Sequence, residues 1–125
     1  MALEGMLQIR DSHPVSGDLS AHQYKIVVLD GSAELALAAT GGTGGFVLLD
    51  TPASGNGTIL LAGKGKVIAG AAVAAGEFLT NEVTTGHAIP ATTGDYIVGV
   101  ALEDGVDGQV IKFLACPGAP AGTIA

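Results

Sequence analysis

Tryptophan is absent from the 125 residues, and only three Phe and two Tyr supply aromatic area. A buried aromatic removes about 150–250 Å² from water, so a core assembled mainly from Ala, Val, Leu and Ile is thin for this length. Oligomerisation or docking on a larger surface would supply the missing burial. A single cysteine, Cys116, excludes an intramolecular disulfide and any multi-cysteine metal site, and is expected as a buried or half-buried apolar thiol. Basic residues are also scarce. Arg10, Lys25, Lys64, Lys66 and Lys112 form no run, and the formal charge is −7. Nucleic-acid binding needs clustered cations to displace counterions, and anionic membranes repel an acidic protein, so neither is an expected partner. No run of about 20 apolar residues offers a membrane span. The first residues lack the basic-then-apolar order of a signal peptide, so synthesis in the cytoplasm is expected.

Reactive constellations are missing as well. His13, His22 and His87 do not have the spacing of a metal set, and no Gly-x-Ser-x-Gly elbow occurs. The expectation is a protein that is not an enzyme and carries no cofactor or metal. Gly41-Gly42-Thr43-Gly44-Gly45 lacks the Lys-Ser/Thr and following helix of a phosphate cradle, and reads as a flexible hairpin loop. Glu103-Asp104-Gly105-Val106-Asp107-Gly108 could hold Ca²⁺ but lacks EF-hand spacing, and reads as an acidic turn.

What is present is a succession of short aliphatic runs punctuated by Gly and Asp turns, the pattern of an all-β domain. Strands are expected at Tyr24 to Leu29, Phe46 to Leu49, Thr58 to Leu61, Lys66 to Ile68, Phe78 to Thr80, Tyr96 to Leu102 and Gln109 to Leu114. The Ala-rich stretch from Ala69 to Gly76 has Gly at both ends and reads as a connection, not a helix. Sliding the chain on itself by roughly 51 to 55 residues brings two halves into an echo. Leu19 to Ile26 falls opposite Val73 to Thr80, Gly31 to Ala33 opposite Gly86 to Ala88, Phe46 to Asp50 opposite Val98 to Glu103, and Gly57 to Leu61 opposite Gly108 to Phe113. The echo implies a small β-barrel or β-sandwich built from two similar β-subunits.

Residues 1–18 precede the echo and show no counterpart to it. This stretch reads as an extended N-terminal arm, with residues 19–115 as the β-domain and 116–125 as an irregular tail. Leu3, Met6, Leu7 and Ile9, with Arg10 beside them, are apolar and basic positions suited to lying along a partner surface. The alternation of Leu7 and Ile9 suits a strand added to an exposed edge.

Taken in order, three strings resemble the phage capsid cement (head decoration) family, long catalogued as a domain of unknown function beside major capsid genes. They are Lys66-Val67-Ile68-Ala69-Gly70-Ala71-Ala72-Val73-Ala74-Ala75-Gly76-Glu77-Phe78-Leu79-Thr80, Gly94 to Glu103, and Gly108-Gln109-Val110-Ile111. Asp18 to Tyr24 and Leu29 to Ser32 fit the opening segment of that family, so the resemblance spans about Asp18 to Leu114. It implies a barrel-like decoration subunit, often a homotrimer, that binds the major capsid protein on the outer surface of a mature tailed-phage head. It carries no catalytic residues. The competing reading is a carbohydrate-binding β-module on a virion or cell surface, disfavoured by the shortage of aromatics for stacking on sugars. A small hydrolase or isomerase is disfavoured by the missing constellations.

Overall fold

The structure, a computed structural model, describes residues 8–116. Among the described residues, nine strands form one antiparallel sheet, curled into a half-barrel: β1 Gln8–Pro14, β2 Ile26–Leu29, β3 Leu35–Leu37, β4 Phe46–Leu48, β5 Asn56–Ile68, β6 Phe78–Asn81, β7 Ala88–Pro90, β8 Gly99–Ala101 and β9 Val110–Ala115. The hydrogen-bonded path runs β3-β2-β4-β5-β9-β8-β6-β7, and β1 pairs with β5. The all-β expectation holds, and the Ala-rich stretch is a connection tied down by bridges at Ala69 and Val73. Two expected strands merge: Thr58 to Leu61 and Lys66 to Ile68 belong to a single β5. The interruption between them is a bulge. The register slips where Ile9 faces Ala62 and Arg10 faces Leu60, and Gly63 takes φ 105°, so the strand bends without ending. β3 and β7 are three-residue strands that the sequence pattern did not reveal.

The hydrogen-bond registers show two copies of one unit. In the first, β1 lies on the front half of β5, with Arg10 opposite Leu60, Ser12 opposite Thr58 and Pro14 opposite Asn56. In the second, the back half of β5 lies on β9, with Lys64 opposite Leu114, Lys66 opposite Lys112 and Ile68 opposite Val110. The remaining pairs repeat as well: Val27 with Leu37 against Leu79 with Pro90, and Ile26 with Val47 against Phe78 with Val100. Even isolated parallel bridges recur, Val15 to Leu35 and Ala69 to Ala88. β1 therefore does have a counterpart, the back half of β5. That corrects the sequence reading, which found none because Arg10-Asp11-Ser12-His13-Pro14 and Lys64-Gly65-Lys66-Val67-Ile68 share backbone geometry but almost no side chains.

The echo itself was real but out of phase. Tyr24, at φ 66°, occupies the place of Gly76, at φ 90°; their N–H groups donate to Leu48 and Ala101, which are counterparts. Ala33, at φ 60°, occupies the place of Gly86, at φ 71°. Left-handed backbone normally selects Gly, so matching by side-chain type, Tyr24 to Phe78 and Gly31 to Gly86, slid those stretches off the structural register, although Leu19 opposite Val73 was already in register.

The core follows the repeat. Leu19, Val27, Leu35, Leu48 and Ile59 form one buried cluster, and their counterparts Val73, Leu79, Ala88, Ala101 and Phe113 all belong to the other. Volume is redistributed between the copies: Leu35 and Leu48 become Ala88 and Ala101, while Ile59 becomes Phe113. Close packing requires such compensation.

Candidate functional site

Four of the five basic side chains, dispersed in sequence, converge on one cleft of about 340 Å³. β1 supplies Gln8 and Arg10, the back half of β5 supplies Lys64, Gly65 and Lys66, β9 supplies Lys112, and Tyr24 and Leu49 complete the wall. Antiparallel pairing is what gathers them, because cross-strand neighbours project from the same face. Lys66 stands directly opposite Lys112, and both are exposed. Arg10 spends its guanidinium on Gln8, whose Oε1 accepts from Nε at 2.8 Å and from Nη2 at 2.5 Å, and Gln8 Nε2 donates to the Lys64 carbonyl at 2.6 Å. Among the described residues, no carboxylate forms an ion pair with Arg10, Lys64, Lys66 or Lys112. Glu103 lies outside this cleft, in an adjoining groove that Lys66 and Lys112 also line, and its carboxylate accepts the Lys112 main-chain N–H at 2.8 Å.

An apolar row adjoins the cations. Phe78 pairs with Val100, Val100 with Leu114, and Leu114 with Lys64; Phe78 and Leu114 are each 43% exposed. Along β9 burial alternates strictly, leaving Val110, Lys112 and Leu114 outward while Ile111, Phe113 and Ala115 face the core. The second unit thus presents a mixed apolar and cationic outer face, the composition expected of a surface that meets a partner.

The repeat supplies an internal control for the lysine pair. Its counterpart in the first unit is Ser12 opposite Thr58, on the same backbone geometry. The fold does not demand cations there, and like charges directly opposite each other cost stability. Replacing the pair by the first-unit residues, Lys66→Ser with Lys112→Thr, is expected to stabilise the domain by roughly 0.2–1 kcal/mol. Urea denaturation measures it, with the gain shrinking as salt is added.

The sequence-derived arm residues separate. Leu3, Met6 and Leu7 lie outside the described residues. Ile9 is exposed on β1 and is not part of the cleft wall, whereas Arg10 is. Asp11, also on β1, has its carboxyl held below the usual range by the Ser12 N–H and then by His13, whose Nε2 lies 2.8 Å away. The lysines at 64, 66 and 112 were missed as a group because their spacing carries no motif; only Lys64 and Lys66 are near neighbours in the chain, and Lys64 lies outside the strands the sequence pattern marks.

Two further expectations are overturned, those for Gly41 to Gly45 and for Cys116, while the turn at Glu103 to Gly108 holds. Gly41 to Gly45 links β3 to β4, which pair with β2 and not with each other, so the segment is not a hairpin. It is also anchored: Gly44 N–H donates to Asn81 Oδ1 at 2.8 Å, and Tyr96 N–H to the Gly42 carbonyl at 2.9 Å. In the acidic turn, the Asp104 carboxylate accepts the Ala75 N–H at 2.9 Å, which fixes a neighbouring connection. Cys116 is exposed instead of packed in the core, because it continues the outward phase of β9; partial burial still pushes its thiol pKa up. A second groove lies between the Thr43–Phe46 stretch and Tyr96, lined also by Val28 and Leu29.

Together, the curled sheet and the surface cleft define a small antiparallel β-domain with an exposed basic and apolar face. In a comparison of solved structures it is similar to the N base of the head fiber protein gp8.5 of bacteriophage phi29, with a TM-score of 0.65 and 19% identity, covering 88% of this chain and 95% of that one. The likeness establishes a common fold. No protein-family model matches the chain, and no curated protein matches it.

Proposed function

We propose that this chain is a structural protein of a phage head, a cement or decoration subunit that binds the major capsid protein on the outer surface of the shell. The observation that carries the reading is the fold shared with the base of a head fiber across almost the whole of both chains. Three features of the chain support it. The core is thin, with Phe113 the only fully buried aromatic among the described residues. The net charge is −7, suited to solubility at high local concentration. The outer face exposes apolar side chains beside cations that have no ion-pair partner among the described residues. A subunit that binds the expanded lattice better than the unexpanded one stabilises the expanded state by its differential affinity. Homotrimers at threefold positions would recruit neighbouring capsomers into one contact.

Purified protein mixed with expanded and unexpanded heads, imaged by electron microscopy, tests the reading. Added density on expanded heads, at threefold or quasi-threefold positions, is the expected result. Bare shells of both kinds at saturating protein concentration would overturn it.

A further inference from the structure

Resting on that reading, we propose that the cleft between β1, β5 and β9 is the docking site for a carboxylate-bearing extended segment of the shell protein. Four cationic side chains on a chain of net charge −7 face one cleft, with no ion-pair partner among the described residues. The opposed pair Lys66 and Lys112 is dispensable for the backbone, since Ser12 and Thr58 occupy the same register in the first unit. A repulsive pair retained where the fold does not need it is explained by a partner that neutralises it.

The wall also shows the conformational cost typical of a binding site. Tyr24 holds φ 66° at a place where the second unit uses Gly76. Tyr24 lines the cleft together with the lysines, and a non-glycine residue held in the left-handed region stores backbone strain.

The surroundings select the kind of anion. Leu49 and the Tyr24 ring line the cleft, and the row through Leu114, Val100 and Phe78 continues from Lys64. A polypeptide that interleaves acidic with apolar side chains matches this surface along its length, whereas a nucleic-acid backbone brings its charges without apolar side chains to cover the row.

The test combines a short polyglutamate peptide, an oligothymidylate and expanded heads as separate probes, with the full chain and its Lys66→Ser/Lys112→Thr variant. In isotope-labelled protein, the peptide is expected to shift the amide signals of Arg10, Tyr24, Lys66 and Lys112, and added salt to reverse the shifts. The variant, whose folding is checked by circular dichroism, is expected to bind heads at least about tenfold more weakly. Unchanged head affinity of the folded variant, peptide shifts confined to other surfaces, or stronger binding of the oligothymidylate would each overturn the cleft assignment. Failure of the unmodified chain to decorate heads would instead refute the capsid function, while the peptide titration still decides whether the cleft takes carboxylates.

Discussion

Phe113→Ala is expected to cost about 3–5 kcal/mol of folding stability, a large part of the roughly 5–15 kcal/mol available to a domain of this kind. Phe113 is fully buried on the inward phase of β9, paired with Ala101 on one side and Gly65 on the other. Its ring lies over Gly99, where an added Cβ would stand 2.7 Å from Phe113 Cδ2 and would also collide with the Leu114 carbonyl. In the first unit the place of Gly99 is taken by Phe46, and that of Phe113 by Ile59. One large ring therefore fills the space left open by the missing side chains at Gly65 and Gly99 and the small one at Ala101. Truncation would leave a cavity lined by residues with little reach to close it. Phe113→Ile, which borrows the first-unit residue, restores part of the volume and should lose clearly less. Denaturant midpoints at constant m-value decide the matter; a loss under about 1 kcal/mol for alanine would mean that the core collapses around the site.

Asn81→Ala is the second large effect, expected at about 2–4 kcal/mol because it strands buried main-chain groups. Asn81 is completely buried at the end of β6. Its Oδ1 accepts the Gly44 N–H at 2.8 Å, and its Nδ2 donates to the Thr40 carbonyl at 2.7 Å and to the Ala38 carbonyl and Thr43 Oγ1 at 3.3 Å. These bonds hold a glycine-rich connection that lies outside the strands and whose Gly42 N–H also donates to the Asn81 carbonyl at 3.1 Å. Leu29, the counterpart of Asn81 in the first unit, is 40% exposed and does no such work. Asn81→Asp separates the two halves of the network: it keeps an acceptor for Gly44 but loses the donor and buries a charge, so it should be no better than alanine. Hydrogen exchange at Gly44 reads the first bond directly. An unaltered exchange rate in Asn81→Ala would show that the connection is held by its other contacts.

How much of this was legible in advance depends on the range of the interaction. Alternating aliphatic residues and turn-forming Gly and Asp are local signals, and they sufficed for the all-β class and for the positions of β2, β4, β6, β8 and β9 to within a few residues. The scarcity of aromatics and the single cysteine likewise bounded the core and the chemistry without reference to any contact. β3 and β7 were not legible, since three residues carry no periodicity and are strands only because β2 and β6 offer them an edge.

Composition and local pattern thus determined a small, acidic, aromatic-poor β-domain with an internal echo. Tertiary structure decided the rest. The phase of the repeat depends on hydrogen-bond register, which here places Tyr24 on Gly76 and Ala33 on Gly86 against their side-chain identities. The role of β1 depends on pairing with a strand some 50 residues away, where it matches the back half of β5. The basic cleft depends on both, because Arg10, Lys64, Lys66 and Lys112 become neighbours only when antiparallel ladders bring three strands side by side. A linear sequence records which side chains alternate on a strand, but not which strand will stand beside it, and that choice is made by the burial of the whole sheet.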